Sequence, residues 1–180
     1  MNTKKFFIFG TLIIFLFSSL NHFLYKWSNF SPFIAFIAPV NESLFQHAKM
    51  FFYPCVLYYL LVYIIFSSTH KINYKIWFFL PILVFLTTFV IVFGTYYIFY
   101  YLFKMQSMII DICSLFIGLS IGNILSYQLY KKRQNILLSP SICLFLILGI
   151  SIIFTSWTTK PPKEQFFYDE NNQTYQRVYK

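Results

Sequence analysis

The chain has 180 residues, of which 58% are hydrophobic, 24% aromatic and 11% charged, against about a quarter charged in ordinary soluble domains. That mixture excludes a soluble globular fold, and at about 20 residues per crossing it leaves room for five or six membrane spans and no separate soluble domain. The net charge of +9 does not point to nucleic acid, because the basic residues stand singly or in short clusters between apolar runs, as loop charges that orient a membrane protein do.

In chain order, Lys4 and Lys5 precede an apolar run that starts like a signal peptide. The run continues to Tyr25 without a small-residue cleavage site, so it reads as an uncleaved first span over 6–25. Pro32 to Val40 is too short to cross about 30 Å of hydrocarbon and reads as an interfacial or re-entrant connection. Ser43 followed by Gln46 predicts a capping box opening a second span, 43–67, with Pro54 inside it as a kink. The third span, 76–101, has Pro81 near its first turn and a Tyr96, Tyr97, Tyr100, Tyr101 belt at its end. The fourth, 106–130, is closed by Lys131, Lys132 and Arg133, and the fifth covers 136–157. Pro161 and Pro162 then open a polar surface tail over 158–180. The expectation is an all-α integral membrane bundle, with transmembrane domain 1–157 and the tail. Seven basic residues fall on one side of the spans, among them Lys71 and Lys75, against Lys26, Lys49 and Lys104 on the other. The tail adds Lys160, Lys163, Arg177 and Lys180 to the second side and would make a tie, yet the last two lie at or beyond the distance over which loop charges act, so the count predicts the amino terminus inside and the tail outside.

Cys55, Cys113 and Cys143 are odd in number and lie in apolar runs, offering neither a disulfide framework nor metal spacing. Residues 39 to 53 hold the densest polar chemistry. At 100° per residue, Glu42, Gln46, Lys49 and Tyr53 form one stripe with Ser43, His47, Met50 and Pro54 beside it, while Leu44, Phe45, Ala48, Phe51 and Phe52 fill the rest. Such a helix either lies at the interface with Lys49 snorkelling outward or turns its polar arc inward to line a cavity. In the fourth span Ser107, Asp111, Ser114, Gly118, Gly122 and Ser126 recur at steps of three and four, a stripe through which helices approach closely. Asp111 needs an inward partner. At 1.5 Å per residue it lies about 8 Å into its span, Lys49 about 9 Å and His47 about 6 Å into theirs. His22 is near the outer end of the first span. Asn41, Glu42, Ser43, His47, Lys49, Asp111 and His22 are therefore the candidate polar cluster in the outer leaflet, with a structural Lys49–Asp111 pair as the plain alternative. Three scattered histidines, His70 among them, make no zinc signature; no serine or cysteine nucleophile motif, Gly-rich phosphate loop or paired-carboxylate signature is present, and no cofactor is expected.

Asn41-Glu42-Ser43-Leu44-Phe45-Gln46-His47-Ala48-Lys49 resembles the signature of a family of uncharacterised bacterial membrane proteins, in which Val-Asn-Glu-Ser-x-Trp-Glu-His-x-Lys follows a proline. The resemblance extends to Phe23–Ser28 and, in the tail, to Pro161-Pro162, Phe167-Tyr168-Asp169 and Thr174-Tyr175. Phe45 and Gln46 depart from it. It implies a bacterial cytoplasmic membrane and directs attention to Asn41, Glu42, His47 and Lys49 without supplying a mechanism. Three functions remain open. The leading one is a non-enzymatic module binding a lipid, small solute or membrane-protein partner at an outer-leaflet polar pocket. An enzyme acting on a lipid or peptide would use Glu42 or Asp111 as base and His47 as acid. A proton-coupled carrier would use Asp111.

Overall fold

A computed structural model describes residues 3–70, 72–105, 107–132 and 138–176. Lys71, Gln106, Arg133, Ile136, Arg177 and Lys180, on which parts of the span and charge reading rest, lie outside the described residues. The chain is all-helical, with 75% helix and no strand among the described residues. Its helices are α1 (Thr3–Trp27), α2 (Leu44–Phe66), the single turn α3 (Tyr74–Trp77), α4 (Leu80–Ile98), α5 (Met108–Lys131) and α6 (Pro140–Thr159). Five segments are long and apolar enough to cross a membrane: α1, α2, Tyr74–Phe103, α5 and α6. The expected five-helix membrane architecture is therefore what the chain adopts.

The chain divides into two compact units, one made of Met1–Phe15 and Cys55–Leu144, the other of Leu16–Pro54 and Phe145–Lys180. In the first, Gly118 and Gly122 let α5 lie directly on α4. A Cβ at Gly118 would sit 3.0 Å from Thr88 Cα, and one at Gly122 3.0 Å from Val84 Cα, so the backbones touch where hydrocarbon offers no hydrophobic drive and close packing must hold helices together. Ser114 and Ser126 of the same stripe are buried. Around this contact Tyr59 donates to Asn123 Oδ1 at 2.9 Å, and Trp77 Nε1 donates to the Tyr59 carbonyl at 2.8 Å. Pro81 sits in the first turn of α4, where a missing N–H costs least. Beyond α4, Phe99–Phe103 widens into a π turn that ends at Lys104, in the left-handed region at φ 49°.

The second unit is built on a chain reversal after α1. Asn29 and Phe30 take φ 52° and 59°. The Phe30 ring is held edge-on against Tyr25, with centroids 5.5 Å apart. The connection then folds over a small core of Tyr25, Ala35, Ala38 and Val40, through a 3-10 turn at Ile34–Phe36. Pro54, inside α2, has no N–H for the carbonyl four residues back. That carbonyl, of Met50, instead accepts from Asn21 Nδ2 at 3.4 Å, and the same amide donates to Ile37 O at 3.1 Å. A single asparagine thus fills the proline's gap and ties α1, the connection and α2 together. The polar tail also folds, through a 3-10 turn at Gln165–Phe167 and a bridge between Asp169 and Thr174.

Candidate functional site

Three segments of the second unit meet around Glu42. His22 lies five residues before the end of α1, Glu42 ends the connection, and His47 is in the first turn of α2. His22 Nε2 is 3.7 Å from Glu42 Oε1, and His47 Nε2 is 3.4 Å from Glu42 Oε2. The two imidazoles stack, with ring centroids 5.6 Å apart. The three side chains are between 28% and 41% exposed, so the cluster is reachable from outside the protein. Hydrogen bonding by His47 draws the Glu42 carboxyl below its ordinary range, against the opposing effect of burial, and the charges of His47 and His22 act in the same direction.

The start of α2 explains the placement. Ser43 Oγ accepts from Gln46 N at 3.4 Å, which is half of the expected capping box. The reciprocal half is replaced. Ser43 N donates to Asn41 Oδ1 at 3.1 Å, and Gln46 Nε2 turns away to Thr158 Oγ1 at 3.4 Å. Capping also sets the His47 tautomer. Its Nδ1 lies 2.9 Å from the Ser43 carbonyl, which can only accept, so Nδ1 is the protonated nitrogen and Nε2 is left facing Glu42.

Glu42 is held from the far end of the chain. Its backbone N–H donates to Asp169 Oδ2 at 2.9 Å. Asp169 is fully buried and also accepts from Asn172 N at 3.0 Å and Asn172 Nδ2 at 2.9 Å. Next to it, Asn41 Nδ2 donates to Gln176 O at 3.0 Å. The tail is anchored by aromatic contact as well, since the Phe45 ring packs tilted against Phe167, with centroids 4.7 Å apart, and against Trp157, at 5.6 Å.

Lys49 is fully buried. Its ammonium donates to Ala35 O at 2.8 Å and to Thr158 Oγ1 at 3.0 Å. It does not snorkel outward, because these two oxygens satisfy it inside, where an unsatisfied ammonium would cost several kcal/mol (order of magnitude). Phe45, Ala48, Phe51 and Phe52 are buried too, so the aromatic arc of this part of α2 is covered by protein along with Ser43, Gln46 and Lys49 of the polar arc. Asp111 is exposed in the first turn of α5 and belongs to the other compact unit.

Of the candidate residues, then, His22, Glu42 and His47 come together with side chains facing one another. Asn41 and Ser43 shape the turn that carries Glu42, and Lys49 pins the connection. Asn21 and Thr158 were not singled out from the sequence, and Asp169 entered only within the tail's resemblance, without a role. The acid at the start of the turn-prone run of the tail, and the proline inside α2, were the signals that could have found the roles of Asp169 and Asn21. No curated protein and no solved structure is significantly similar to the chain. The sequence model of a family of unknown function, DUF6512, matches residues 1–176, and the chain therefore belongs to that family.

Proposed function

We propose that the protein is a non-enzymatic, multi-pass module of a bacterial cytoplasmic membrane that binds a small polar ligand, or the polar part of a lipid, at the His22–Glu42–His47 cluster. In this reading the amino terminus is inside and the cluster faces the outer side, as the distribution of basic loop residues favours. The observation that carries it is the convergence of two imidazoles and a carboxylate, from three separate segments, at half-buried positions held by a buried network. Polar side chains this costly near a membrane are normally retained for a use. A second reading, an enzyme acting on a lipid or peptide, is favoured by one contact, the 3.4 Å approach of His47 to Glu42, which is close to the reach of an acid–base pair. No observation favours Asp111 as the protonation site of a carrier.

The test is native mass spectrometry of the full chain released from nanodiscs. A bound species retained by the wild type and lost in both Glu42→Gln and His47→Gln, with folding intact, supports the module. An identical set of bound species in all three proteins refutes it. Chemical turnover of the retained species would favour the enzyme.

A further inference from the structure

We infer that His22, His47 and Glu42 together take a divalent transition-metal ion, with zinc as the reference case, through one nitrogen of each ring and one or both carboxylate oxygens, leaving a coordination position open. The inference rests on the binding reading above and names its ligand class.

Donor and acceptor chemistry comes first. With Nδ1 of His47 committed to the Ser43 carbonyl at 2.9 Å, Nε2 of the neutral ring carries a lone pair. That lone pair faces a carboxylate oxygen 3.4 Å away, a contact that needs a positive centre between the two atoms, either a second ring proton hydrogen-bonded to Glu42 or a bound cation. His22 Nε2 is 3.7 Å from the other oxygen, and either tautomer of the neutral ring is open to it. Its Nδ1 is buried with no hydrogen-bond partner among the described residues, so nothing fixes the ring's tautomer against presenting a bare nitrogen. Protons can meet both contacts with His47 as an imidazolium and His22 as its neutral Nε2–H tautomer, the two rings stacked 5.6 Å apart. One divalent cation meets all three groups at once.

Geometry agrees. Metal–ligand bonds of about 2.0 to 2.2 Å in a tetrahedral site set ligand atoms about 3.3 to 3.6 Å apart. The His47 nitrogen is 3.4 Å from one carboxylate oxygen, at that spacing, and the His22 nitrogen is 3.7 Å from the other, just beyond it; one ligand atom from each residue lies within 4.8 Å of the others. Closing the longest edge needs a shift of about 1 Å, within side-chain reach. Second, the residues around the ligands are organised as metal sites require. The His47 Nδ1–H is donated to a backbone carbonyl, the usual outer partner of a ligating imidazole. The backbone of Glu42 is fixed by buried Asp169. Two imidazoles and one carboxylate, partly exposed, form the donor set of open rather than closed sites.

The experiment uses the full chain in detergent, stripped with chelator and dialysed against zinc or cobalt(II). One zinc per chain is expected, with cobalt producing visible d–d bands of four- or five-coordinate intensity. Glu42→Gln and His47→Gln should each weaken zinc binding at least tenfold, and His70→Gln should leave it unchanged. X-ray absorption of the zinc-loaded wild type, which depends on no variant, should show a first shell of nitrogen and oxygen with imidazole outer scattering and no sulfur. Folded wild type that binds less than one-tenth of an equivalent and shows no cobalt bands overturns the inference. So does binding unaffected by both variants, or a sulfur shell. Should zinc fail while another species is still lost from Glu42→Gln in mass spectrometry, the metal is refuted and the binding module stands; failure of both removes the module as well.

Discussion

Removing the Asp169 carboxylate should undock the tail and loosen Glu42 without melting the helices. Asp169 Oδ2 serves the Glu42 and Asn172 donors at 2.9 Å each, and Oδ1 serves Asn172 N at 3.0 Å. In Asp169→Asn, the better orientation keeps the carboxamide oxygen on the first two donors and points its NH2 at the Asn172 N–H. One charge-assisted bond is lost there, worth about 1.5 to 3 kcal/mol. Asp169→Ala strands two part-buried backbone donors at about 1 to 2 kcal/mol each, the lower part of the usual range, for about 2 to 4 kcal/mol in all. Unfolding in mixed SDS micelles, followed by circular dichroism, measures the global change. Tryptic cleavage at exposed Lys163 measures undocking, and the tail's contact of Phe167 with Trp157 at 5.3 Å adds a fluorescence readout. Faster cleavage with near-native helicity is expected, in the order Ala above Asn. If both variants stay within about 0.5 kcal/mol of wild type, the range of an uncoupled surface change, and cleave at the wild-type rate, Asp169 does not hold the tail.

Gly122→Ala should cost about 1 to 3 kcal/mol by overpacking against the Val84 backbone, whereas Gly149→Ala, with nothing within 4 Å, should be neutral or stabilising by up to about 1 kcal/mol; equal melting shifts in the two would contradict the contact. Asn21→Ala should lower stability by about 0.5 to 1.5 kcal/mol, and by less in a Pro54→Ala background, where a restored N–H takes the Met50 carbonyl. A double-mutant cycle with coupling below about 0.3 kcal/mol would show that Asn21 does not compensate for the proline. In a cysteine-free background, an impermeant thiol reagent applied to intact cells should modify Asn171→Cys and leave Tyr74→Cys unmodified, and the reverse pattern would invert the proposed orientation.

The five helices were legible because lipid leaves the backbone no partner but itself, so every spanning segment must declare itself as a long apolar run. Glu42 and His47 were legible for a related reason. Charge in greasy surroundings stands out, and five residues of helix start fix their spacing. His22 could be placed only by depth along α1. What the sequence could not decide was direction. Lys49 on a helical wheel is equally a snorkelling cation or a buried one, and the choice depends on the Ala35 carbonyl and Thr158 hydroxyl, the latter contributed more than a hundred positions away. The capping box failed by half for the same reason, since Thr158 competes for the Gln46 side chain and Asn41 supplies what Gln46 would have given. Pro54 was read as a kink, but its lasting imprint is an unclaimed carbonyl, and a proline cannot say which distant amide will claim it.

The bond from the Glu42 amide to Asp169 joins residues 127 positions apart, which sets a timetable for biosynthesis. At about 5 to 20 residues per second, Glu42 is made roughly 6 to 25 seconds before the carboxylate that will hold it. Throughout that interval α1, α2 and the connection can already be inserted, with His22 and His47 beside a glutamate whose backbone is not yet fixed. The cluster is therefore among the last parts of the molecule to reach its final geometry. A premature stop shortly after α6 would leave all five apolar helices in place, pass any check on membrane insertion, and yield a protein whose site never sets.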